Sequence, residues 1–229
     1  MGQIPDELIT RPWRLSAKAD LDGLPTTGEL RSGLWRRPHR GVLAWAGSDA
    51  EDPMQRILAA AAAVDGAPLA GWAAAYLHGA RELDGETRGG EPLPVLFCIG
   101  KSGTRRPRQG LKPFRSPMGV EDVVQINGVL CTSLVRTTFD LARLAPSLAD
   151  AVADVDTMLR CTRLRLADLK RYVQRQRRVP GLVQVREALR LADPLSLSRP
   201  ESKLRVLWVV DAGLPAPLVN ASVFDRRTG

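Results

Sequence analysis

Between Leu58 and Leu77 the chain carries its longest alanine-rich apolar stretch, and what interrupts that stretch limits the folds open to it. Asp65 and Gly66 put a charge and a flexible backbone in its middle. No window reaches the roughly eighteen uninterrupted apolar residues that a membrane-spanning helix requires. The stretch is therefore read as two buried helices, Met54 to Val64 and Leu69 to Leu77, and no membrane partner is expected. The N-terminus has no apolar run after its charges, so no signal peptide is expected either. With aromatic residues at only 5%, the core must rest on Leu, Val and Ala.

The charge balance points to a polyanionic partner. Lys and Arg outnumber Asp and Glu by 33 to 25, for a net charge of +8. Most of the cations are Arg, whose planar fork suits phosphate oxygens. Cys98, Cys131 and Cys161 are odd in number and widely separated, with only His39 and His78 as co-ligands of another type. That pattern predicts reduced thiols in a cytoplasmic protein, no structural zinc and no cofactor.

From Trp13 to Ala46 the pattern reads short helix, turn, short helix, strand. Ser16 is placed to cap a helix over residues 17–21, Gly23 to Pro25 supply a turn, and Thr26 with Glu29 forms a capping box for a second helix running to about Leu34. The basic run Arg36, Arg37, Pro38, His39, Arg40 and Gly41 follows, then a strand from Val42 to Trp45. This is the order of a winged helix-turn-helix module, which places Arg31, Arg36, Arg37, His39 and Arg40 where they would meet DNA phosphates. An acidic break at 49–52 closes this first domain, 1–48.

The second domain, 53–193, is expected to be α/β and then helical. Leu93 to Ile99 reads as a strand, and Val123 to Cys131 as a hairpin turning at Asn127 and Gly128. Helices are predicted over 132–145, 147–159, 166–174 and 181–191. Gly100, Lys101 and Ser102 resemble part of a phosphate-binding loop, but the earlier glycine of that motif is replaced by Val95. The segment reads instead as a basic hairpin loop in which Lys101, Arg105, Arg106 and Arg108 offer a second set of phosphate contacts, continued by Lys112 and Arg115. A third basic tract spans 160–178. After a linker at 193–200, a helix to Ala212 and a strand from Leu218 to Phe224 make up a last segment, 197–229, which reads as the incomplete start of a further domain. Glu201 and Lys203 have the spacing of a metal-nuclease pair only on a strand, and the pattern there is helical. Neither histidine sits beside a nucleophile, so no catalytic or metal-binding residue is assigned and no enzymatic activity is expected of these residues.

Four segments, LWRRPHRGV at 34–42, GWAAAYLHG at 71–79, VLCTSLVRTTFDLA at 129–142 and SRPESKLRVLWVVDAGLP at 198–215, resemble an actinobacterial group. Its members join an N-terminal region similar to the abortive-infection antitoxin AbiEi to a very-short-patch-repair-like endonuclease domain. The resemblance implies an α+β protein: a winged helix-turn-helix, a mixed α/β and helical domain, and a truncated restriction-endonuclease-like C-terminus. It further implies a DNA-binding regulator or antitoxin that represses its own operon and counters a nucleotidyltransferase-like toxin. Double-stranded DNA is the expected partner, alongside such a toxin or a homologous protein. The alternatives are a metal-dependent endonuclease completed by a partner and a protein-interaction decoy in phage defence.

Overall fold

The computed structural model describes residues 11–14, 28, 31–87 and 89–221. The fold is mixed α+β, and the chain divides into two units, one within 1–73 and 83–132, the other within 74–82 and 133–229.

In the first unit a three-stranded antiparallel sheet has the order β1-β3-β2, with β1 at Trp13–Arg14, β2 at Trp35–Arg36 and β3 at Val42–Trp45. Its centre is β3, where Val42, Leu43 and Ala44 are buried. Helix α1 (Pro53–Val64) follows at once. Asp52 caps it by accepting from the Gln55 backbone N–H at 3.0 Å, with proline at the first helical turn, and α1 packs on β1 and β3. The acidic break at 49–52 thus lies inside this unit as a helix cap.

The unit's second sheet has five strands in the order β6-β5-β4-β8-β7: β4 at Leu69–Ala70, β5 at Val95–Cys98, β6 at Leu111–Phe114, β7 at Val123–Ile126 and β8 at Val129–Thr132. Two expectations are corrected here. Leu69 and Ala70, read as the start of a helix, form the central strand, pairing with Phe97 and Leu96 on one side and with Cys131 on the other; helix α2 is only Trp72–Leu77. A fully buried strand shows no alternation and looks like a buried helix in sequence. The basic segment after β5 is not a hairpin loop either. β6 runs parallel to β5, with Val95 opposite Leu111 and Cys98 opposite Phe114, so residues 99–110 form a crossover that carries the chain back to the same end. The β7–β8 hairpin turns at Asn127 and Gly128 as expected, both with positive φ (48° and 77°), the backbone of a tight two-residue connection.

The second unit is helical: α3 (Leu134–Leu144), α4 (Leu148–Cys161), α5 (Leu166–Arg175), α6 (Leu182–Leu191) and α7 (Arg199–Val206). α4 is its hub, buried continuously from Ala151 to Leu159, and it packs on α3, α6 and α7. Ser147 and Ser198 cap α4 and α7, accepting from the Asp150 and Glu201 backbone N–H groups. The turn into α6 needs glycine. Gly181 has φ +81°, and a Cβ there would stand 2.4 Å from the Arg143 carbonyl oxygen. Phe139 and Tyr172 meet edge to face at 5.5 Å.

Three carboxylates of α4 tie it to α7. Asp154 pairs with Arg199 at 2.6 Å, Asp150 with Lys203, and Asp156 with Arg205, which also donates to the Leu191 carbonyl. Asp156 additionally accepts from the Asp193 backbone N–H, which anchors the segment read as a linker. Beyond α7 a π-helical turn, Leu207–Asp211, continues the helix, and Gly213 has positive φ. Residues 218–221 pair with no strand, against the expectation of a strand from Leu218, and 222–224 lie outside the described residues. Among the described residues no helix is long and apolar enough to cross a membrane.

Candidate nucleic-acid interface

The expected helices over 17–21 and 30–34 fall mostly outside the described residues. What is described of the second corrects its end: Arg31 closes a tight turn, its N–H donating to the Gly28 carbonyl at 3.1 Å, Gly33 has φ +78°, and by Trp35 the chain is already in β2. The basic run is therefore the tip of a β-hairpin. Trp35 stands opposite Trp45 and Arg36 opposite Ala44, and the turn between them tightens where the Val42 N–H donates to the His39 carbonyl at 3.0 Å. Because β3 is buried and the turn is not, the hairpin is anchored at its base and presents Arg37 and Arg40 to solvent.

The crossover 99–110 comes to the same place. A Cβ on Gly110 would lie 3.5 Å from His39 Cε1. Burial lowers the His39 pKa, and the nearby Arg108 charge lowers it further. His39 is thus a neutral, half-buried contact between the two basic segments at neutral pH, and the positive charge belongs to the residues around it. His39 and Gly110 are 71 positions apart in the sequence, and nothing in either segment predicts their meeting.

The cations do not all serve the same end. Arg36 is half-buried, donating from Nη2 to Ser48 Oγ at 3.0 Å, and Ser48 Oγ in turn donates to the Trp45 carbonyl. Arg105 donates to the Val64 carbonyl at 2.7 Å, at the C-terminal end of α1 where the helix dipole favours a cation. Next to it Arg14 pairs with Asp65 at 2.5 Å; hydrogen bonding and charge from Arg14, with the Arg105 charge, hold that carboxyl below its usual range. Arg115 donates to the Gly103 carbonyl at 2.9 Å and closes the crossover. Arg31, Arg37, Arg40, Lys101, Arg106 and Arg108 are exposed, and none of them forms an ion pair among the described residues. Of the nine sequence-predicted site residues, Arg36 and Arg105 hold the scaffold, His39 is a neutral contact, and six remain as exposed cations. Sequence reasoning missed the Arg14–Asp65 pair; the acidic residue following the last turn of α1 was its only signal.

Elsewhere the chemistry is structural. Gly100, Lys101 and Ser102 follow a strand, but the chain from Gly103 runs as crossover and not as a helix. On α7 Glu201 accepts from the Leu197 backbone N–H and from Asn220, while Lys203 pairs with Asp150 of α4, so the two side chains point to different partners. Cys98 and Cys131 are buried, and burial pushes the Cys131 thiol up to about 12. Cys161 is half-buried, its thiol raised by burial and by the charge of Glu82. Among the described residues no three His, Cys, Asp or Glu side chains group closely enough to hold a metal ion. The chain has no significant match to any family model, curated protein or solved structure.

Proposed function

We propose that this chain is a DNA-binding regulator of the AbiEi-like antitoxin kind, and that it grips duplex DNA with the β2–β3 hairpin and the 99–110 crossover of its first unit. The three-stranded sheet with a basic hairpin at its edge supports a winged helix-turn-helix reading of the N-terminal region, in which the hairpin is the wing. The observation that carries the proposal is the convergence of two sequence-remote basic segments at His39 and Gly110, with their exposed cations free of carboxylates among the described residues. Such cations keep their charge for a partner, and phosphate neutralisation by Lys and Arg supplies most sequence-independent affinity for DNA. A cytoplasmic site of action and a nucleotidyltransferase-like toxin as second partner belong to the same reading.

The test is equilibrium binding of the full chain to duplex DNA over a series of salt concentrations. Each phosphate contact contributes about 0.9 to the slope of log affinity against log salt, so Arg37→Glu with Arg40→Glu should weaken binding and reduce the slope by roughly two. Unchanged affinity and slope in that variant would refute the proposal.

A further inference from the structure

The second unit carries its own concentration of positive charge. Between 163 and 190 nine Lys and Arg residues face only Asp168 and Glu187. Five of them are dispersed. Arg165 and Arg171 share Asp168 on the exposed surface, and Arg163, Arg175 and Arg178 are exposed. The other four converge: Lys170 of α5, Arg177 just after it, and Arg186 and Arg190 of α6 line one open groove of about 560 Å3. Its apolar lining is Val173 and Leu189, both buried, and its remaining lining side chain is Gln174. Arg186 and Arg190 stand at i, i+4 on one face of α6, a like-charge spacing that Glu187 offsets at Arg190.

We propose that this groove between α5 and α6 binds a compact ligand of linked phosphates. Its volume lies in the ~300–1,000 Å3 range of small-molecule sites, and within such a space linked phosphates concentrate several negative charges more tightly than the spaced carboxylates of an acidic peptide. The cations suit that ligand. Arg177 is held in place by the Gln174 and Gln176 carbonyls, and Arg190 is steadied by Glu187 at 3.0 Å, while Lys170 and Arg186 pair with no carboxylate among the described residues. Guanidinium forks match phosphate oxygens two at a time, and Gln174 adds an amide donor. No aromatic side chain lines the groove to stack a base, so it reads the phosphates and not the nucleobase. The inference does not depend on the DNA reading of the first unit.

Titration calorimetry of the full chain with inorganic tripolyphosphate tests it. Binding should weaken by roughly tenfold or more in Lys170→Glu with Arg186→Glu, and change little in Arg163→Glu with Arg165→Glu, which makes the same change in net charge outside the groove. Should the Glu pair fail to fold, Lys170→Gln with Arg186→Gln should show the same loss in smaller degree. Displacement by a nucleoside triphosphate or by a short single-stranded oligonucleotide then identifies the source of the phosphates, and displacement by neither leaves inorganic polyphosphate itself. No binding by the wild-type chain, equal losses in the groove and control variants, or tighter binding of polyglutamate than of tripolyphosphate would each overturn the proposal.

Discussion

The α4–α7 seam and the β2–β3 hairpin are both built around arginine, and they use it in opposite ways. At the seam Arg205 lies buried against a fully buried Asp156, its guanidinium committed to a carboxylate and a carbonyl. At the hairpin Arg37 and Arg40 stand in solvent, and the charge they carry is uncommitted. The lesson is that a count of arginines says nothing about partners until each guanidinium is traced to what it touches. Arg36 and Arg37 are neighbours, and one supports the scaffold while the other faces outward.

The largest effect that would sharpen this contrast lies at the seam. Arg205→Ala leaves Asp156 buried without its counter-ion, and breaking such a pair costs about 3–5 kcal/mol. A denaturant titration should show that loss as a lower midpoint; a change within error would mean that the seam is as solvated as the hairpin. A smaller effect is expected inside the hairpin. Arg36→Ala removes the hydrogen bond to Ser48 and should cost about 1 kcal/mol, whereas Arg37→Ala next to it should stay within about 0.5 kcal/mol. Equal losses from the two would erase the distinction between scaffold and surface.

The smallest effect is a separation by pH. Burial favours raising the Asp150 pKa, but hydrogen bonds from Lys203 and Ser147 and the charges of Lys203 and Arg199 bring it below 3.8, so its stabilising share is complete above that value and is lost as the pH falls through the folded pKa. His39 is depressed below 6.5, so its share is complete above 6.5 and is lost as the pH falls through its own folded value. Unfolding midpoints followed from neutral to acid pH should therefore soften first through His39, and His39→Gln should remove that first step while leaving the acid limb intact. If Asp150→Asn removed the first step instead, the two regions would be wrongly assigned.

Much of the fold was legible wherever a local rule decides it. Ser147 caps a helix because its hydroxyl meets a backbone N–H three residues on, and Asn127 with Gly128 turns a hairpin because both accept positive φ. The helices from 134 to 191 follow from apolar spacing, and of the four only α4 adds a side-chain cap. Legibility failed where the deciding partner is far away in sequence. Leu69 and Ala70 become a strand only because Phe97, Leu96 and Cys131 flank them, and the direction of β6 depends on which end of β5 the crossover returns to. The candidate interface divides the same way: its basic residues were visible one by one, but Arg105's service to the end of α1 and the meeting of His39 with Gly110 are properties of folded space.

Cys131, at the pairing of β4 with β8, gives the protein an internal clock. A thiol sealed in a sheet and held protonated to about 12 is shielded from alkylating reagents, because only the exposed thiolate attacks them. Its labelling rate therefore counts how often the five-stranded sheet comes apart, and it does so without any engineered probe.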